Sequence, residues 1–196
     1  MDPQPSDSVD AVLAAGSGDA EFAIVSMSAR SDDGRDAEYL EWHVLDHLPE
    51  QFRIDGLRWG QRWVSTPACR AARSVSESPF DEVDHVVHYL FAPPSGAATV
   101  APALDVFFGL GGSLHRAGRM PMSVPRRHLA GYDLVGGAAS PRVMVGADVL
   151  PFRPIRGVHV VAERWSVAAD DVPAPDALAD VDGVAGLWHL RGTTGR

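Results

Sequence analysis

The sequence predicts an α+β fold in which two helices interleave with four strands in the order β-α-β-β-α-β, building an antiparallel sheet. Three observations predict it. Apolar or alternating runs of strand length recur at 22–29, 58–64, 84–91 and 128–135. Longer stretches with helix signals follow the first and third runs, at 36–52 and within 96–117. Turn residues punctuate the boundaries at Ser31-Asp32-Asp33-Gly34 and Asp55-Gly56.

Residues 1–20, rich in Pro, Ser, Gly and Asp, are expected to be disordered. Strand 22–29 is a continuous apolar run. Asp36 caps the first helix, where Glu41, Leu45, Leu48 and Phe52 repeat at helical spacing and Trp42 borders the stripe; Pro49 ends or kinks it. In strand 58–64, Trp59, Gln61 and Trp63 face one way and Arg58, Gly60, Arg62 and Val64 the other. A loop of about twenty residues follows. In strand 84–91, Val86, His88 and Leu90 share one face, and His85, Val87, Tyr89 and Phe91 the other. Ser95 is the expected cap of the second helix, and Gly109, Gly111 and Gly112 are expected to weaken and break its later part. Strand 128–135 completes a ferredoxin-like unit over 21–137.

The remainder, 138–196, reads as a degenerate second half. Strands are expected at 142–150 and 158–165, joined by a hairpin connection at 152–157, then a short helix at 175–179 and a last strand at 183–190. The turn Ile54-Asp55-Gly56-Leu57, followed by a strand with Trp63, recurs as Val181-Asp182-Gly183-Val184 followed by Leu187-Trp188. Asp-Gly turns are common, so coincidence is the alternative to duplication.

With 196 residues and 45% hydrophobic content, the chain can bury a sizeable core. A net charge of −9 argues against a nucleic-acid partner. No run of about 18 apolar residues marks a membrane span, and no basic segment leads into an apolar one as in a secretory signal. All 17 basic residues are Arg, a bias expected of a GC-rich genome, which removes lysine Schiff-base chemistry and the phosphate-loop lysine. Cys69 stands alone, which excludes an intrachain disulfide and a cysteine-rich metal site; a reducing cytoplasm is the expected setting. It reads as an incidental loop cysteine.

The most reactive cluster is Glu41-Trp42-His43-Val44-Leu45-Asp46-His47-Leu48-Pro49. His43 and His47, four apart, share a helix face, and imidazole is the natural proton shuttle near neutral pH. Asp46 is a candidate to orient an imidazole, although at i−1 to His47 it points elsewhere on the helix. The competing reading makes His47 a structural cap near Pro49. A metal on the His pair needs a third ligand such as Glu50 or His88, and no metal is assigned. Haem has only the formal candidates His88, His115 and His128, and no cofactor is assigned. His88 alternates with apolar residues, and Trp59, Trp63, Tyr89 and Phe91 line strand faces as core or as a flat aromatic pocket. Arg153 and Arg156 fit either a solvated turn or an anion contact.

A strand, a helix reading Trp42-His43-x-x-Asp46-His47-Leu48-Pro49, an Asp55-Gly56 turn and a strand with Arg62-Trp63 resemble the dimeric α+β barrel superfamily, in its EthD-like branch. Asp55 stands where that branch usually has proline. The motif-bearing match covers about residues 22–66, and the order of elements extends it to about 135. The resemblance implies an α+β barrel closed by two such sheets face to face, from a homodimer or from the C-terminal half, around an apolar cavity. It implies cofactor-free chemistry of the monooxygenase, cyclase or isomerase kind on a hydrophobic small molecule, with haem-binding and unassigned branches also known. On that reading His47, His43 and Asp46 are catalytic, and Trp42, Arg62, Trp63, His88 and Tyr89 touch the ligand. The alternative is a non-catalytic binding or dimerisation protein.

Overall fold

A computed structural model describes residues 20–74, 76–120, 124–164 and 176–193. Apart from Ala20, the segment expected to be disordered lies outside these. The elements are β1 (Phe22–Ser28), helix α1, β2 (Leu57–Val64), α2 (Pro67–Ala71), β3 (His85–Phe91), α3 (Ala101–Arg116), β4 (Arg126–Ala139) and β5 (Gly186–Gly192). Helix α1 is three segments end to end: α-helical Asp36–Trp42, π-helical His43–His47 and α-helical Leu48–Gln51.

The five strands form one sheet in the order β2-β3-β1-β4-β5, with every neighbouring pair antiparallel. Register follows the apolar alternation. Ile24 lies opposite Tyr89 and Gly131, whereas Val25 lies opposite His88 and Ala130. The first set faces the helices: Phe22, Ile24, Val87, Tyr89 and Phe91 pack with Leu48 and Ile54 from the α1 region and with Val100 and Ala103, flanked by Phe107 and Leu110 of α3. The other face carries Ala23, Val25, Met27, Trp59 and Leu90, with Trp63, Phe80, Tyr132 and Leu190 packed around them. The expected strand faces of β2 and β3 agree with this division.

The α1 face differs from expectation. Leu45 and Phe52 are 64% and 45% exposed and Glu41 is exposed, while Tyr39, His43, His47, Leu48 and Gln51 are buried. Tyr39, His43, His47 and Gln51 recur every four residues. On a 3.6-residue turn that repeat drifts by about 40° per step. The wider i→i+5 winding of the π segment takes back the drift and keeps the four on one side.

Further expectations are corrected. The expected loop after β2 contains α2, capped by the Thr66 hydroxyl, which accepts from the Cys69 amide; Arg70 bonds Asp84, and Arg73 donates to the carbonyls of Asp81 and Val83. Helix α3 begins at Ala101 rather than near Ser95, whose amide instead donates to Asp55. Gly109, Gly111 and Gly112 stay helical. Neither 142–150 nor 158–164 is a strand, so no hairpin forms at 152–157; Trp165 lies outside the described residues. Pro151 and Pro154 interrupt the region and remove ladder donors. The short helix expected at 175–179 is a 3-10 turn at Asp176–Asp180, and the last strand, β5, extends the single sheet beside β4. Among the described residues no helix is long and apolar enough to cross a membrane.

Gly56, in the turn between α1 and β2, has φ +99, and a Cβ there would stand 2.8 Å from both the Ala103 Cβ and the Ala92 carbonyl oxygen. Gly34 shares a positive φ of +76 but has open space around it. Gly56→Ala is expected to cost about 2 kcal/mol or more, combining left-handed strain with overpacking. Gly34→Ala costs only the strain, about 1 kcal/mol. Urea midpoints of the two variants check this; equal shifts would refute the close approach.

Candidate functional site

The buried face of α1 meets the helix side of β2 and β3 in a polar cluster rather than an apolar seam. His43 and His47 are 3% and 8% exposed, Gln51 4%, His85 0% and Tyr89 3%. The Tyr89 hydroxyl stands 3.5 Å from His43 Nε2. The Gln51 amide nitrogen, which can only donate, lies 3.1 Å from His47 Nε2. That pairing leaves the proton of a neutral His47 ring on Nδ1. Arg62 Nη2 donates to the Tyr39 hydroxyl at 3.0 Å, and its guanidinium carbon lies 5.0 Å from the Tyr39 ring centre. His85 Nε2 pairs with Asp36 Oδ2 at 3.1 Å, and the Ser31 amide donates to the other oxygen of Asp36.

The rings form a continuous set. Trp42 stacks on His47 at 4.9 Å and 14°, His43 meets His47 edge-on at 5.4 Å, and Tyr39 lies 5.9 Å from His43 and 6.0 Å from His85. Outside the cluster, Trp42 lines an open groove of about 340 Å³ with Asp46, Glu50, Gly118 and Arg119. Glu50 and Arg119 form an ion pair there.

Burial sets the protonation states. It pushes His43 from 6.5 down to about 2, helped by the nearby Arg62 charge. His47 and His85 are also lowered by burial, opposed by Glu50 and Asp36 respectively. Burial raises Tyr89 well above its ordinary range and lowers Arg62. At neutral pH the imidazoles and phenols of the cluster are therefore neutral, and Arg62 is its cation.

Six polar atoms here are buried without a partner: Nδ1 of His43, His47 and His85, Oε1 of Gln51, and Nε and Nη1 of Arg62. Each such atom costs about 1–3 kcal/mol in a purely structural core. Native proteins hold few of them, and each calls for an explanation, a catalytic role being one.

Of the residues expected at the site, Trp42, His43, His47, Arg62 and Tyr89 come together. Asp46 is exposed on the groove side and bonds neither imidazole. Trp63 and His88 lie on the opposite face of the sheet. There His88 sits against Trp59 at 4.7 Å and stacks with Trp63 at 6.3 Å, and burial lowers it to about 4. His88 is thus separated by the sheet from the His43–His47 pair, and among the described residues no three His, Cys, Asp or Glu are placed to hold a metal ion. His115 is exposed, His128 bonds the Tyr132 hydroxyl, and Arg153 and Arg156 are exposed. The sequence reading missed Tyr39, Gln51, His85 and Asp36. The four-residue repeat Tyr39-His43-His47-Gln51 was the available signal for two of them.

Fold and site define a mixed α+β protein with a five-stranded antiparallel sheet and a buried imidazole–phenol–guanidinium cluster beneath a π-helical turn. No protein-family model, curated protein or solved structure matches the chain.

Proposed function

We propose that the chain is a cofactor-independent proton-transfer protein, of the cyclase or isomerase kind, acting on a hydrophobic carbonyl or aromatic compound at the α1–sheet cluster. The observation that carries this reading is the set of six unpartnered buried polar atoms beneath the π segment. π turns occur frequently at functional sites, and their winding here brings both imidazoles inward.

His47 is the working acid–base group. Rotating the Gln51 amide by half a turn would place its unpartnered Oε1 on His47 Nε2, which then carries the proton, and free Nδ1 as a base. Glu50 opposes the lowering by burial, which keeps His47 a better base than His43. His43, held at about 2, remains neutral and hydrogen-bonds Tyr89. Arg62 stabilises negative charge that develops on the substrate oxygen.

The order β-α-β-β-α-β, with β4-β1-β3-β2 adjacent in the sheet, supports the ferredoxin-like and EthD-like readings. Both long helices pack on one face, and the half-buried Trp63, Tyr132 and Leu190 on the other support a barrel closed by a second copy. The alternative, a non-catalytic dimerisation protein with structural His47, is favoured by the burial of both imidazoles.

Deuterium exchange at the acidic methylene of benzoylacetone in D2O, followed by NMR, separates the two. The enzyme reading expects exchange well above the buffer rate, reduced about 10²-fold or more by His47→Gln. Exchange at the buffer rate, or unaffected by that substitution, gives the structural reading instead.

A further inference from the structure

Arg62 is the cation of the cluster, and among the described residues it forms no ion pair with a carboxylate. Its Nη2 is used by the uncharged Tyr39 hydroxyl, and Nε and Nη1 are buried without a partner. Six other arginines of the described chain are paired with carboxylates: Arg30 and Arg70 with Asp84, Arg35 with Glu38, Arg119 with Glu50, Arg127 with Glu82 and Arg142 with Asp182. Apart from the two pairs to the buried Asp84, they lie at the surface, where pairing matters least. Arg62, where pairing matters most, has none. Asp36 is close enough to act on it, but its oxygens bond His85 and the Ser31 amide and make no ion pair with Arg62. Arg126 adds a second positive charge that acts on Tyr39 and Tyr89.

A buried guanidinium stays charged, and buried charges are ordinarily paired. Its neighbours are flat rings: Tyr39 in contact with it, His43 and Tyr89 close enough to feel its charge, and Trp42 and His47 beside them. We infer that the compound bound at this site is an organic acid: a flat, largely hydrophobic molecule whose oxyanion is received by a free N–H of Arg62, on Nε or on Nη1. This rests on the α1–sheet cluster being the site proposed above, but not on its performing proton transfer. The guanidinium offers charge-assisted hydrogen bonds to such an oxyanion and a weaker contact to its neutral amide. The competing account makes Arg62 a strut that only positions Tyr39.

The test is titration of the full chain with benzoate and, separately, benzamide, following the ring-proton NMR signals of His43 and His47. Benzoate is expected to move both signals saturably, and benzamide to bind at least about tenfold more weakly. In Arg62→Met the benzoate affinity falls by a similar factor. Equal affinities for acid and amide, unmoved imidazole signals, or full benzoate affinity in a folded Arg62→Met each overturn the inference. If that variant does not fold, the comparison of acid with amide on the unsubstituted chain still decides. Benzoate binding through Arg62 with no methylene exchange keeps the acid site and removes the proton-transfer function. Exchange without preference for the acid does the reverse.

Discussion

Phe91→Ala is expected to lower stability by about 3–5 kcal/mol, the range for a large aromatic side chain removed from a closed core. Phe91 is fully buried, and its strand neighbours in register are Phe22 and Leu57. Phe107 of α3 meets its ring edge-on at 5.4 Å and 88°. The side chain thus joins the sheet to α3, and its loss leaves a cavity that rigid strands on both sides cannot close. Against the 5–15 kcal/mol typical of domains, the variant would be marginal at room temperature. Phe108, next to Phe107 but 55% exposed, is the control: Phe108→Ala should cost less than about 1 kcal/mol. Urea unfolding of both variants with unchanged m-values measures the difference. Similar midpoints would mean that α3 is not packed as described.

That core was legible in the sequence because period-2 alternation in a strand states the buried face directly. Val87, Tyr89 and Phe91 separate from Val86, His88 and Leu90 without reference to anything else. Helix α1 was legible in extent but not in orientation. Leu45 and Phe52 advertise an apolar stripe, yet the chain buries Tyr39, His43, His47 and Gln51 instead. Apolar periodicity cannot report a face held by polar rings, nor a π segment that rotates half the helix. The tail failed for a different reason. Residues 158–164 have strand-like composition, but composition alone does not supply a partner, and they pair with no strand although β2 and β5 end the sheet. Site assignment divided along the same line. Arg62 and Trp63 are adjacent in sequence and were grouped together, although neighbours on a strand point to opposite faces, and so only Arg62 reaches the histidines.

Acid should unfold the protein earlier than its carboxylates alone would dictate. Burial lowers His43 from 6.5 to about 2 and His88 from 6.5 to about 4, so both are neutral in the folded chain where they would be protonated in the unfolded one. Below 6.5 the unfolded state binds more protons, and stability therefore rises with pH through this window. The contribution is complete above 6.5. It is lost as pH falls towards 4 for His88 and towards 2 for His43. Each imidazole supplies a slope of about 1.4 kcal/mol per pH unit, so the two together remove roughly 5 kcal/mol between pH 6.5 and 4.5. His47 and His85 are shifted in the same direction and steepen the loss. His88 gives the cleanest dissection, because burial between Trp59 and Trp63 is the sole cause of its shift. Unfolding free energies at pH 7, 6 and 5 should fall steeply in the unsubstituted chain. His88→Leu should reduce the slope by about 1.4 kcal/mol per unit while leaving the His43 contribution intact. A flat profile between pH 7 and 5 would mean that these imidazoles reach water or take up protons in the folded state, and the neutral cluster beneath α1 would then have to be abandoned.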